Sequence, residues 1–320
     1  MPLADIAINA RETRLAVAVI ITTCTNRKRK EVAPDLRICA VETASLTEVA
    51  GQWAKRLASA GECYLPAAIY GGRGFQEARS VAGVLEARLL IVSAGLGLVD
   101  ATTQVPSYAC TIIPGSTDSV ASRVRGAFSS PQWWSALNKV SPFGTSLLEA
   151  LRNTKGLILA ALSDAYIEMI ADDMLTLPEA VRARLRLFTR APMGRINPGL
   201  RSSVMPYDER LDGPDSPIPG TISDFSSRAA RHFSDVILLP NDTRSPAEHA
   251  REVRNVVGAW RKPERPARLR LEDPAILEIL RAHWDDAKGM SLPRLRGEFN
   301  VACEQGRYVG LARIIRSERA

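Results

Sequence analysis

Apolar residues in this chain come in short blocks, each ending abruptly in a polar loop. Residues 15–22 are apolar on both faces and rich in Val and Ile, which predicts a strand buried on both sides. After a polar stretch, Leu46, Val49, Trp53 and Leu57 recur at helical spacing within 46–60. A short apolar piece at 67–70 runs into GGRG, and Phe75, Ala78, Ala82 and Leu85 then restore the helical period over 75–86. RLLIVS (88–93) predicts a second buried strand, closed by the glycine-bearing loop AGLGLVD. The alternation continues with strand 155–163, helix 165–175, strand 183–189, helix 224–233, strand 235–240 and helix 245–260.

Strands and helices in alternation predict the α/β class: a mostly parallel sheet flanked by helices, in a catalytic domain spanning 1–260. In such sheets ligands gather beyond the carboxyl ends of the strands, where TCTNRK, SAGLG and SDAY all fall. Residues 191–222, rich in Pro and Gly, form an irregular excursion that reads either as a mobile lid or as an insertion. A linker at 261–273 precedes a small helical or winged-helix-like module at 274–320. Its predicted order is helix 274–286, a turn at Gly289, helix 291–305, and GRYVGLARIIRS as a hairpin or wing. A helical cap on the main domain is the alternative. Arg294, Arg296, Arg307, Arg313 and Arg316 favour nucleic acid.

Composition narrows the class. With 46% hydrophobic and 24% charged residues in 320, the chain fits a globular protein with a substantial core. The longest apolar runs are too short to cross a bilayer, so no membrane association is expected. The segment MPLADIAINARETR lacks the layout of a secretory signal, which makes a cytoplasmic location the expectation. Five widely spaced cysteines without C-x-x-C argue against a disulfide framework or a structural zinc site. The three histidines all lie in the last third, and no metal or cofactor is expected. Neither G-x-G-x-x-G nor G-K-[ST] occurs, which leaves dinucleotide and P-loop sites unsupported. The net charge of +7 and pI of about 9.4 favour an anionic partner, nucleic acid foremost.

Cys24 closes the first strand and is followed by Thr25, Asn26, Arg27 and Lys28. A thiol in a positive loop is more easily ionised, and the thiolate is the nucleophile. If a helix begins there, Lys28 lies over Cys24 at the i,i+4 spacing; the plainer reading is a small buried residue at a strand end. In YGGRGF, the glycines around Gly72 permit close backbone approach to a ligand, or merely a tight turn, and Arg73 can hold a phosphate or stack on a base. Gly95 and Gly97 of SAGLG carry the same ambiguity. Asp100, Tyr108, Ser163, Asp164 and Tyr166 can each exchange a proton near a ligand or serve as ordinary loop and capping residues. Trp133 and Trp134 read as core packing.

The ordered set TTCTNRK, AAIYGGRGF…AR, LLIVSAGLGLVD and VPSY resembles the YaaA-like family. Cys24, Lys28, Tyr70, Gly72, Phe75, Arg79, Ser93, Ala94, Gly97, Leu98 and Tyr108 occupy the matching places, and AALSDAYIEMIADDM is similar to a later family segment bearing Ser and Tyr. The C-x-x-x-K spacing of Cys24 and Lys28 also looks like the motif of archaeosine synthase, which acts on the nitrile of 7-cyano-7-deazaguanine in tRNA. The related Dpd-type proteins of DNA 7-deazaguanine modification are understood to hydrolyse that nitrile in DNA. The likeness spans residues 15–175 and more weakly continues to about 260. This chain departs from archaeosine synthase where Arg29 and Lys30 replace a Pro-Tyr pair.

The resemblance implies hydrolysis of a base nitrile to the carboxamide in DNA. Cys24 would be the nucleophile, Lys28 would lower its pKa and hold the developing nitrogen anion, and Asn26 with backbone amides would orient the substrate. Thr25, Tyr70, Gly72, Arg73, Arg79, Ser93, Gly95, Gly97, Tyr108, Ser163 and Tyr166 would line the substrate site. DNA is the implied partner, with other proteins of a DNA modification system. Two other functions remain open: a non-catalytic DNA-binding stress protein of the YaaA type, and a base-excision enzyme.

Overall fold

The computed structural model describes residues 17–264 and 267–319, which form two compact units divided after Lys262. The larger opens with β1 (Val17–Thr23), α1 (Leu46–Ala58), the short α2 (Pro66–Ile69) and α3 (Arg73–Leu85). The hairpin of β2 (Arg88–Ser93) and β3 (Gly97–Asp100) follows, then α4 (Ser130–Val140), α5 (Leu147–Leu151) and β4 (Leu157–Ala161). Next come α6 (Asp164–Leu175), α7 (Glu179–Arg182), β5 (Leu185–Phe188), α8 (Phe225–His232) and α9 (Pro246–Gly258). The expected start of the first strand at Leu15 lies outside the described residues.

The five strands form one sheet in the order β3-β2-β1-β4-β5, parallel except for β3. Its inner strands are buried on both faces, as near-continuous Val, Ile and Leu runs require. Helix α3 packs on β1 and α8, while α1, α4 and α6 pack in succession. The chain runs from β1 to β2 on one side and from β4 to β5 on the other. That reversal puts a topological switch point between β1 and β4, the place where open α/β sheets leave a crevice.

Two predicted elements of the larger unit differ. AGLGLVD is not all loop: Gly97–Asp100 turns back as the antiparallel edge strand β3, with Ser93 opposite Gly97. The apolar run 235–240 is not a strand, because α8 continues into a π-helical turn over Phe233–Ile237. Phe233 is buried there against Phe188 and His249, at 5.2 and 5.0 Å between rings, and the sheet ends at β5.

The excursion 191–222 contains 3-10 turns at Met193–Arg195, Pro198–Ser203 and Glu209–Asp212, and runs into another at Ile222–Asp224. Arg228, 2% exposed, donates to the carbonyls of Leu211, Ile218 and Thr221 at 3.1, 2.9 and 3.0 Å. It also pairs with the carboxylates of Asp224 and Asp212.

In the small unit, Leu269 pairs with Val301, so part of the expected linker is folded structure. Helices α10 (Asp273–His283), α11 (Leu292–Gly297) and α12 (Gln305–Glu318) pack Ile276, Leu280, Leu295, Leu311 and Ile315 into a separate core. The segment expected as a hairpin or wing is therefore a helix. Leu311, Ala312 and Ile315 give it one buried face, despite Gly306 and Gly310. The expected long helix 291–305 stops at α11, and Asn300 turns the chain with φ +53°. Of the five arginines expected to face nucleic acid, Arg294 pairs with Asp286 and Glu298, Arg307 pairs with Asp273, and Arg296 donates to the Cys303 carbonyl. Arg316 lies over the Trp284 ring, and Arg313 has no ion-pair partner among the described residues. No helix of the described residues is long and apolar enough to cross a membrane.

A buried polar chain ties β5 to the start of α9. Arg186 Nε donates to His249 Nδ1 at 2.9 Å, so the ring is neutral there and its Nε2–H faces Asp242 at 3.0 Å. Burial pushes His249 below its ordinary 6.5, as it does His232. The unfolded chain therefore takes up protons first as pH falls. Stability should drop as pH goes below about 6.5 and level off once the folded chain is protonated too. Melting temperatures from about pH 8 to about pH 5 should decline. His249→Gln, which can still accept from Arg186 and donate to Asp242, should flatten part of that slope; an unchanged slope would contradict the assignment.

Candidate active site

The backbone leaving β1 fixes the site. Cys24 N donates to Val92 O at 3.0 Å, as the parallel ladder ends. The loop then binds the 69–71 segment: Arg29 N reaches Ile69 O and Gly71 N reaches Arg27 O, both at 2.8 Å. Lys28 and Tyr70 thus form an antiparallel bridge. No helix starts at Cys24, so Lys28 is placed by this bridge and not by the i,i+4 spacing expected from the sequence. Its ammonium folds back to the Thr25 carbonyl and lies over the rings of Tyr108 and Tyr70, 4.5 and 4.8 Å from their centroids. Burial holds Lys28 below the usual lysine pKa, while the Cys24 and Cys110 thiols pull it upward.

Cys24 is 6% exposed, and the hydroxyl of Tyr166 lies 3.2 Å from its Sγ. The sulfur is thus not sealed among aliphatic groups. Cys24 lines a cavity of about 460 Å³ at the switch point, with Thr23 and Thr25 after β1 and Ala161 and Ser163 at the end of β4. Gly72, Arg73, Gly74 and Phe75 contribute the first turn of α3, and Arg190, Ile222, Ser223, Ser226 and Ser227 complete the wall with Asp164. Gly72 is required there, since a Cβ would stand 2.5 Å from the Thr25 methyl group.

Beside this cavity runs a directional hydrogen-bond chain. Ser93 Oγ accepts from the amides of Gly95 and Leu96 at 3.2 and 3.0 Å, which fills its acceptor sites and turns its own proton toward Tyr108, 2.5 Å away. Tyr108 then donates to Tyr70 at 2.9 Å, leaving the Tyr70 proton available. Burial raises the pKa of Tyr70, Tyr108 and Tyr166, with the neighbouring Cys24 acting in the same direction, and burial pushes the Cys110 thiol up as well. All three phenols are therefore protons held in reserve.

The structure brings Cys24, Thr25, Gly72, Arg73 and Ser163 to the cavity, with Tyr166, Lys28, Tyr70, Tyr108 and Ser93 in the polar network around Cys24. It does not bring Asn26 or Arg79 there. Asn26 is exposed and does not line the cavity, because the bridge directs the loop elsewhere. Arg79 is exposed along α3, near Gln76. Gly95 and Gly97 are buried in the β2–β3 turn, whose carbonyls are occupied: Trp53 donates to Gly95 O at 2.6 Å, Trp133 to Ala94 O at 2.8 Å, and Ser141 to Leu96 O at 2.6 Å. That loop braces Tyr108 and does not cradle a ligand. Asp100 pairs with Arg88 away from the cavity.

Not expected from the sequence are Arg190, two residues past the end of β5, and the serines of ISDFSS at the start of α8. The strand-end position could have flagged the former; only folding of the excursion brings the latter. Among the described residues, no group of three His, Cys, Asp or Glu side chains could hold a metal ion. No protein-family model, curated protein or solved structure matches the chain.

Gly95 lies so close to Tyr108 that a Cβ would be 2.5 Å from its ring, whereas one at Gly83, within α3, would meet nothing within 4 Å. Gly95→Ala should destabilise the protein by about 1–3 kcal/mol in urea unfolding. Gly83→Ala should be neutral or stabilise by up to about 1 kcal/mol. Equal effects would contradict the packing described.

Proposed function

We propose that the Cys24 cavity hydrolyses the nitrile of a 7-cyano-7-deazaguanine base in DNA to the carboxamide. The observation that carries this reading is a cysteine at the sheet's switch point whose Sγ meets a tyrosine hydroxyl on a cavity wall, with a desolvated lysine in electrostatic reach. The likeness of the Cys24-to-Lys28 motif to archaeosine synthase supplies the substrate class.

The sulfur adds to the nitrile carbon, forming an S–C bond while the thiol proton passes to the nitrile nitrogen, and a thioimidate results. Water then adds to that carbon, the C–S bond breaks, the proton returns to sulfur, and the amide leaves. The net change is the gain of one water. Tyr166 is placed to exchange the proton at sulfur, and the Lys28 charge favours the anionic forms along the path. A cavity of about 460 Å³ is within the usual range of small-ligand sites. A base in a duplex would have to leave the stack to reach it, at a cost of about a few kcal/mol.

Pure protein incubated with DNA carrying the cyano base should raise the mass of the modified nucleoside by one water. Cys24→Ala should abolish conversion, Tyr166→Phe should slow it by about 10²–10⁴-fold, and Lys28→Met by about 10²–10³-fold. Asn26→Ala should stay near the parent rate. Full conversion by Cys24→Ala would rule out the covalent path, and abasic sites in place of carboxamide would identify a base-excision enzyme.

A further inference from the structure

The cavity beside Cys24 has a second end that nitrile chemistry leaves unused. Helix α3, thirteen residues long, begins there at Arg73 without a side-chain cap. The amides of Arg73, Gly74 and Phe75 have no acceptor among the described residues, because only the Gly72 amide is taken, by Thr25 Oγ1 at 3.3 Å. Such a turn presents N–H groups and a partial positive charge to the cavity. Ser227 supplies an independent sign. It is 4% exposed, lines this cavity, and its hydroxyl has no hydrogen-bond partner among the described residues. That hydroxyl stands 3.5 Å from where a Cβ on Gly74 would be, so it borders the uncapped turn. Facing the cavity with no partner in the protein, it is free to donate to a guest there.

Arg190 adds positive charge to the cavity wall. Its Nη1 is buried without a hydrogen-bond acceptor, 3.5 Å from Asp212 Oδ2, and its guanidinium rests over the Phe225 ring at 5.2 Å. Arg73 is more exposed and shares its charge with Asp224 at 3.1 Å. The carboxylate lining the cavity, Asp164, is paired outward with Arg195 at 3.6 Å. Uncapped amides, an unmet hydroxyl and a held guanidinium suit a tetrahedral oxyanion.

We propose that this end of the cavity binds the phosphate of a nucleotide whose base lies toward Cys24. The base assignment rests on the function proposed above; the phosphate subsite rests on the donors just described and is measurable without turnover.

Calorimetric titration of the full chain with inorganic phosphate, a nucleoside 5′-monophosphate and the matching nucleoside tests it. Phosphate and the monophosphate should bind competitively, the monophosphate more tightly by about 10-fold or more, and the nucleoside should bind far more weakly than its monophosphate. Ser227→Ala and Arg190→Gln should each weaken both anions by about 10-fold or more. If Arg190→Gln does not fold, as judged by circular dichroism, Ser227→Ala decides alone. Absence of anion binding, or binding unaffected by Ser227→Ala, would overturn the subsite. Equal affinity for phosphate and monophosphate would overturn the nucleotide assignment. Cys24→Ser should keep anion binding. Binding without base conversion by the parent chain would defeat the nitrile reading alone, and conversion without anion binding would defeat the subsite alone.

Discussion

A chain leaving the middle of a parallel sheet cannot leave its backbone groups unpaired in the protein interior, and the residues after β1 meet that demand by lacing themselves to residues 69–71. From this pairing the rest of the site follows. It sets Lys28 opposite Tyr70, which carries the ammonium over two phenol rings, and leaves Cys24 at the ladder's end facing the crevice. Gly72 then has to be a glycine, since the two segments meet at Thr25. Backbone pairing, more than charge attraction, brings thiol and ammonium into one neighbourhood.

That arrangement sets several costly burials against one another. An ammonium removed from water loses solvation, and aromatic faces with a carbonyl return part of it. Three buried phenols would be equally costly if unpaired. Two are joined in a chain ending on the amides of the β2–β3 turn, and the third rests on the sulfur. Two indoles and a serine hold that turn by its carbonyls. The polar network around Cys24 is thus largely satisfied from within, while the uncapped first turn of α3 borders the cavity.

The sequence made the sheet largely readable because its strands are buried on both faces and announce themselves as apolar runs; β2 was placed to the residue. Cys24 was legible for the same reason, standing where a run breaks. Helical spacing suggests Lys28 over Cys24, yet an antiparallel bridge to Tyr70 sets its position, and a single bridge leaves no periodic signal. The β3 edge was hidden by its glycines, and the 235–240 run was misread because a helical continuation and a short strand share an apolar pattern. In the small unit, two of the five arginines that look available in the sequence pair with carboxylates and a third donates to a backbone carbonyl. Net charge does not reveal such pairing.

Arg228 settles what kind of wall the excursion provides. Prying residues 211–221 away from α8 would strand a guanidinium that now meets three carbonyls and two carboxylates inside the protein. The segment lacks strands and long helices, yet detaching it carries a penalty usually associated with core elements. The wall that this segment gives the crevice is thus part of the folded core's polar framework and is already set by the fold itself.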